Sequence, residues 1–201
     1  MNLPNALTLV RMFLVPLLVV VLLTEFEGPR VVGVSKELLG AAIFGLASIT
    51  DWLDGYLARR RRQITWFGQV MDPIADKLLT SAAFVSLVQL DLAPAWMVTV
   101  IIGREIAITG LRSFAHSKGI TIVASPLGKG KMASQVTAIL LLLVGAGPLP
   151  WLAPAGQAAL WVVMAMALGS AIDYYRRFQA LANARVTDVT IARARSGRRA
   201  S

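Results

Sequence analysis

The residues most capable of chemistry in this chain are four aspartates, Asp51 and Asp54 three residues apart and Asp72 and Asp76 four apart. Either spacing puts both side chains on one face of a helix. Two helices meeting near their ends can therefore aim four carboxylates at one point. Such anions cannot share a site without compensation, least of all near hydrocarbon, where a single central Asp costs about 2.5–3.5 kcal/mol. Divalent cations relieve both the burial and the repulsion. An all-oxygen donor set favours Mg²⁺ or Mn²⁺, and shared carboxylates suit two ions about 3.5–4 Å apart, the arrangement used for phosphoryl chemistry. Asp72 alone reads equally well as a helix N-terminal cap. Asp51 and Asp54 do not, because they fall near the C-terminal end of a predicted helix, where the dipole disfavours anions.

Neighbouring residues fit the same chemistry. Gly55 either lets a ligand approach the backbone closely or simply loosens a helix end, and Arg59 either forks onto phosphate oxygens or serves as topology charge. Arg60, Arg61 and Arg62 are explained by membrane topology. The chain has no cysteine, hence no thiol nucleophile and no disulfide, and its one histidine, His116, lies outside the aspartate segment.

The elements that must position these groups are apolar. Of 201 residues, 56% are hydrophobic and 15% charged, against about 25% charged in soluble domains. Six apolar stretches, at about 6–24, 37–58, 73–90, 94–113, 130–147 and 155–174, predict an all-α integral membrane protein with six transmembrane helices. Residues 1–175 form one catalytic membrane domain in this reading, and 176–201 a basic tail, partly disordered beyond about 185. The first stretch lacks a basic leader and a small-residue cleavage site, and reads as a retained span. Arg59–Arg62, Arg112, Lys118, Lys129, Lys131 and the basic tail all fall on one side if the span count is even. Both termini and the aspartates are therefore expected on the cytoplasmic side of the cell membrane. The net charge of +9 is accounted for by topology, anionic headgroups and phosphates, with no nucleic acid as partner.

The segment from Asp51 to Asp76 resembles the signature of the CDP-alcohol phosphatidyltransferase family, D-x2-D-G-x2-A-R-x8-G-x3-D-x3-D, at every fixed position. Asn5, Thr8 and Arg11 are similar to its N-terminal N-x2-T-x2-R. Met71–Lys77, Gly103–Arg112 and Leu127–Lys131 resemble the branch whose acceptor is sn-glycerol 3-phosphate and whose products are phosphatidylglycerophosphate and CMP. The resemblance implies a six-helix fold that binds CDP-diacylglycerol at the cytoplasmic face with two divalent ions, among membrane lipids and as a homodimer. It implies Asp51, Asp54 and Asp72 as metal ligands, and Asp76 as general base and fourth ligand. Asn5, Thr8, Gly55, Ala58, Arg59 and Thr65 would border the nucleotide and its phosphates. An anionic acceptor needs cations, and Arg104, Arg112, Lys129 and Lys131 are the candidates. Arg104 lies inside the fourth span beside Glu105, with Arg112 two turns on and nearly the same face. An intramembrane Arg is a functional candidate by default, although pairing with Glu105 would give it a structural role.

Two other readings stand beside this one. The same family chemistry can use another acceptor, such as inositol phosphate or phosphatidylglycerol. Acidic residues in membrane helices also line divalent-cation transporters, but here the acids cluster at one side and no polar track continues beyond them.

Overall fold

The computed structural model describes residues 3–24, 30–31, 34–61, 66–117 and 127–197; within these, the side chains of 3–5, 30–31, 52–61, 66–70, 72, 116, 127–129, 177–178 and 180–197 lie outside the description. Among the described residues the chain forms six α-helices: α1 Leu3–Leu23, α2 Lys36–Arg61, α3 Trp66–Gln89, α4 Ala95–Ser117, α5 Leu127–Ala146 and α6 Ala153–Gly197. A short antiparallel hairpin, β1 Arg30–Val31 with β2 Val34–Ser35, precedes α2, and a 3-10 turn Pro150–Leu152 leads into α6. Each predicted apolar stretch coincides with one helix, so the all-α class stands.

The helix ends depart from the apolar boundaries. α3 begins at Trp66, about two turns before residue 73. Asp72 and Asp76 are therefore inside the helix, and Asp72 is not a cap. α6 does not end near residue 174. It continues to Gly197, where a partly disordered tail is expected from sequence. The stretch after Tyr174 contains no Pro, no Gly before Gly197, and many Ala and Arg residues, which are strong helix formers.

Among the described residues two segments, Ala6–Leu23 and Pro150–Arg176, are long and apolar enough to cross a membrane, and Gly130–Ala146 is a shorter apolar stretch. α2, α3 and α4 carry the four aspartates, Lys77, Arg104, Glu105 and Arg112. Large apolar side chains nevertheless face outward all round the bundle: Phe13, Leu46, Ile49, Ile106 and Trp161 are each more than half exposed. An apolar exterior of this extent is a lipid- or partner-facing surface.

α1 packs along both α2 and α3. α5 and α6 form the most extensive pair, and α6 also packs on α4. Leu18, Leu22, Phe44, Ile139, Leu142 and Leu160 fill the core between these helices. Glycines set the α5–α6 distance. A Cβ on Gly145 would lie 2.7 Å from the backbone N of Ala153, and one on Gly156 would lie 3.0 Å from that of Leu142. Backbone on both sides leaves no room for a side chain, as in close helix pairs generally.

The connections with few basic residues gather at one end. Asp91, at φ 59°, ends α3 in the left-handed conformation. The N–H of Leu92 donates to the carbonyl of Leu87 and that of Asp91 to Val88, at 2.8 and 3.0 Å, a Schellman termination. Gln157 Nε2 of α6 donates to the Leu92 carbonyl at 2.7 Å. A Cβ on Gly147 would come 2.9 Å from Ser35 Oγ of β2.

Gly145→Val therefore forces α5 and α6 apart, and its thermal unfolding in detergent is expected to show a loss of about 1–3 kcal/mol, the usual cost of overpacking. Gly110→Ala, where nothing lies within 4 Å of the added Cβ, is expected to be neutral or slightly stabilising.

Candidate active site

α1 is an apolar helix with one charged residue, Arg11. Its side chain has no solvent exposure, and a guanidinium so placed requires partners. They come from two other helices. Arg11 Nη1 lies 2.7 Å from Asp51 Oδ1 of α2 and donates to Asp76 Oδ1 of α3 at 3.1 Å. Thr8, also buried, stands one turn before Arg11 on the same face. Asp76 is further fixed through its backbone, whose carbonyl accepts from Thr80 Oγ1 at 2.9 Å.

Asp51 and Asp76 thus converge on one point, with hard oxygen donors suited to a divalent ion. Among the described residues no group of three or more His, Cys, Asp and Glu side chains gathers. The side chains of Asp54 and Asp72 lie outside the described residues, although their backbones sit within α2 and α3. Those of Asn5, Ala58, Arg59 and Lys129 also lie outside, as do the surroundings of Gly55 and all of Thr65.

On the other side of Asp76 a cavity of about 290 Å³ opens between α3, α4, α5 and α6. Four cations line it, Lys77, Arg104, Arg112 and Lys131, against three carboxylates, Asp76, Glu105 and Asp173. Glu105 organises its centre. Its Oε1 pairs with Lys131 Nζ, accepts from Gln135 Nε2 at 3.1 Å, and lies 3.8 Å from Arg104 Nη1. Arg104 Nη2 donates to Ser170 Oγ of α6 at 2.6 Å. Arg112 holds its guanidinium carbon 5.9 Å from the Tyr174 ring centroid, within cation–π reach. Lys77 donates to Thr109 Oγ1. α4 and α5 make no close backbone approach among the described residues; Glu105, Lys131 and Gln135 bridge the gap that is the cavity. The site can bind an anion beside a pair of carboxylates.

A second, apolar groove of about 470 Å³ lies between α2 and α5. Gly45, Val136 and Leu140 line it, and Asp51 stands at its polar end.

The structure therefore brings together Asp51 with Asp76, and Arg104 with Arg112 and Lys131. Arg104 has both environments considered from sequence, since it lines the cavity and also stands near Glu105. Lys77, Gln135 and Ser170 line the same cavity and were not anticipated. Gln135 and Ser170 had a usable signal, as polar residues inside predicted spans. Lys77 had a weaker one, adjacency to Asp76.

Comparison with known proteins points the same way. Residues 1–172 match the family model described as CDP-alcohol phosphatidyltransferase. A Bacillus subtilis protein named CDP-diacylglycerol–glycerol-3-phosphate 3-phosphatidyltransferase is 44% identical over 182 residues, covering 88% of this chain and 94% of that protein. Proteins of the same name from Pseudomonas fluorescens, 34% identical over 88% of this chain and 89% of theirs, and Rickettsia bellii, 33% identical over 87% and 94%, are also similar.

The central place of Glu105 predicts energetic coupling across the cavity. Glu105→Ala leaves Lys131 buried without this carboxylate and is expected to cost about 1–3 kcal/mol in thermal unfolding. Adding Lys131→Met should cost less than the sum of the two single changes, and additivity would show that the pair is not coupled.

Proposed function

The chain belongs to the CDP-alcohol phosphatidyltransferase family, and on that premise we propose that it transfers the phosphatidyl group of CDP-diacylglycerol to sn-glycerol 3-phosphate, giving phosphatidylglycerophosphate and CMP in phospholipid biosynthesis. The observation that carries this reading is the position of Asp76. It touches Arg11 beside Asp51 on one side and lines the cationic cavity on the other. A group so placed can meet the acceptor's hydroxyl while the acceptor's phosphate is held by cations.

The family is divalent-metal dependent, and the finer assignment proposed for this chain is two Mg²⁺ or Mn²⁺ ions held by Asp51, Asp54, Asp72 and Asp76. When bound, they supply neutralisation of the pyrophosphate charge. Everything else falls to the protein. Arg104, Arg112 and Lys131, with Lys129, hold the phosphate of glycerol 3-phosphate by charge-assisted hydrogen bonds. Asp76 accepts the proton of the acceptor hydroxyl as that oxygen bonds to phosphorus and CMP departs. Asn5, Thr8, Gly55, Ala58, Arg59 and Thr65 border the cytidine and its phosphates. An acyl chain of the donor fits the apolar groove between α2 and α5, whose polar end at Asp51 meets the reacting headgroup.

The proposed setting is the cell membrane, crossed six times, with both termini and the site on the cytoplasmic side. Supporting it are the outward apolar side chains and the gathering of the weakly basic connections at one end. Residues 1–175 would be the catalytic unit and 176–201 a basic cytoplasmic extension attracted to anionic headgroups. A homodimer is proposed by family analogy.

The test is CMP release from labelled CDP-diacylglycerol in detergent. Release should require glycerol 3-phosphate, stop on chelation of divalent ions, and fall about 10²–10⁴-fold in Asp76→Asn. Release with inositol phosphate alone would overturn the acceptor, and no release with any alcohol would overturn the enzyme.

Arg104→Ala should raise the KM for glycerol 3-phosphate about tenfold or more while leaving that for CDP-diacylglycerol little changed. Equal effects on both substrates would make Arg104 structural.

A further inference from the structure

The carboxylate centre carries its own cation. Arg11 is the one charged residue of α1, it is wholly buried, and one of its nitrogens meets carboxylates from two different helices at 2.7 and 3.1 Å. α1 packs along both of those helices, α2 and α3. At the depth of the site Arg11 of α1 joins Asp51 to Asp76. Two carboxylates held this close repel unless a positive charge lies with them. A divalent ion would supply that charge, but so does the guanidinium.

We propose that Arg11 is a positioning residue that serves as the resident counter-cation of the carboxylate centre, holding Asp51 and Asp76 together in the metal-free enzyme and, by linkage, moderating the affinity for divalent ions. This rests on the reading of Asp51 and Asp76 as metal ligands. Its consequence follows from a thermodynamic cycle. If Arg11 contributes more to the metal-free state than to the loaded state, removing it must strengthen metal binding by the same factor. A merely structural buried ion pair makes no such distinction between the two states. The arrangement suits ions that must enter and leave: the site stays assembled without them.

The experiment is thermal unfolding of the full-length protein in detergent, with chelator and with saturating Mn²⁺, for wild type, Arg11→Gln and Arg11→Lys. Mn²⁺ should raise the midpoint of Arg11→Gln by about 5 °C more than it raises that of wild type, and Arg11→Lys, which keeps the charge, should fall between them. Mn²⁺ titration followed by electron paramagnetic resonance should show tighter binding to Arg11→Gln than to wild type. An equal or smaller metal-induced shift in Arg11→Gln, or weaker Mn²⁺ binding, would overturn the proposal. Should Arg11→Gln fail to fold, the double variant Arg11→Gln/Asp76→Asn in chelator decides: removing the repelling charge should restore a folded protein, and failure to do so overturns the proposal as well. Absence of any Mn²⁺ shift in wild type would instead sink the metal reading, and the charge-deletion rescue in chelator would still test Arg11.

Discussion

Charge inside an apolar helix bundle must be neutralised within the bundle, and that constraint organises this molecule. Arg11, the lone charge of α1, is matched by Asp51 and Asp76 from α2 and α3. Glu105 of α4 is matched by Lys131 of α5, while its neighbour Arg104 reaches Ser170 of α6. Each of these contacts crosses from one helix to another. The helices that meet at the site have ionic partners as well as apolar packing between them, whereas the opposite end has tight turns and the glycine-mediated contact of α5 with α6. Breaking one partner of a buried pair costs more than the pair contributes, so the polar half of the bundle is fixed in arrangement even where its backbones stand apart.

That separation is what leaves room for chemistry. Among the described residues α4 and α5 do not close on each other, and the space between them is a cavity lined with more cations than acids. Asp76 belongs to its wall and also to the carboxylate centre around Arg11. A phosphorylated alcohol bound by the cations would present its hydroxyl towards this one carboxylate, and the donor's apolar tail would leave through the groove that starts at Asp51. In the proposed reading, donor, acceptor and proton acceptor meet on residues drawn from all six helices.

Much of this was legible in the sequence, and for identifiable reasons. The aspartates announced themselves because i, i+3 and i, i+4 spacings put side chains on one helix face whatever surrounds them. The cations Arg104 and Arg112 were legible for the same reason, being two turns apart on one helix. The helix ends were less so: apolar residues mark where a chain meets lipid or core, not where backbone hydrogen bonding stops, so α3 starts early at Trp66 and α6 runs on to Gly197. Least legible were the pairings. Nothing in the sequence near Arg11 says that its partners are 40 and 65 residues away, and nothing near Glu105 distinguishes pairing with adjacent Arg104 from pairing with Lys131. Those contacts are decided by helix packing. Arg11 stood inside a recognised motif, but its work in holding two helices emerged only from the fold.

In the proposed mechanism one residue, Asp76, joins the metal side of the site to the acceptor pocket. This role is tested most directly by determining the structure with Mn²⁺ and glycerol 3-phosphate bound, locating the ions by anomalous scattering. Mn²⁺ is expected at the aspartates, the acceptor phosphate on Arg104, Arg112 and Lys131, and a glycerol hydroxyl within about 3 Å of an Asp76 carboxylate oxygen. Glycerol 3-phosphate bound away from that cavity, or bound there with its hydroxyls turned from Asp76, would contradict it.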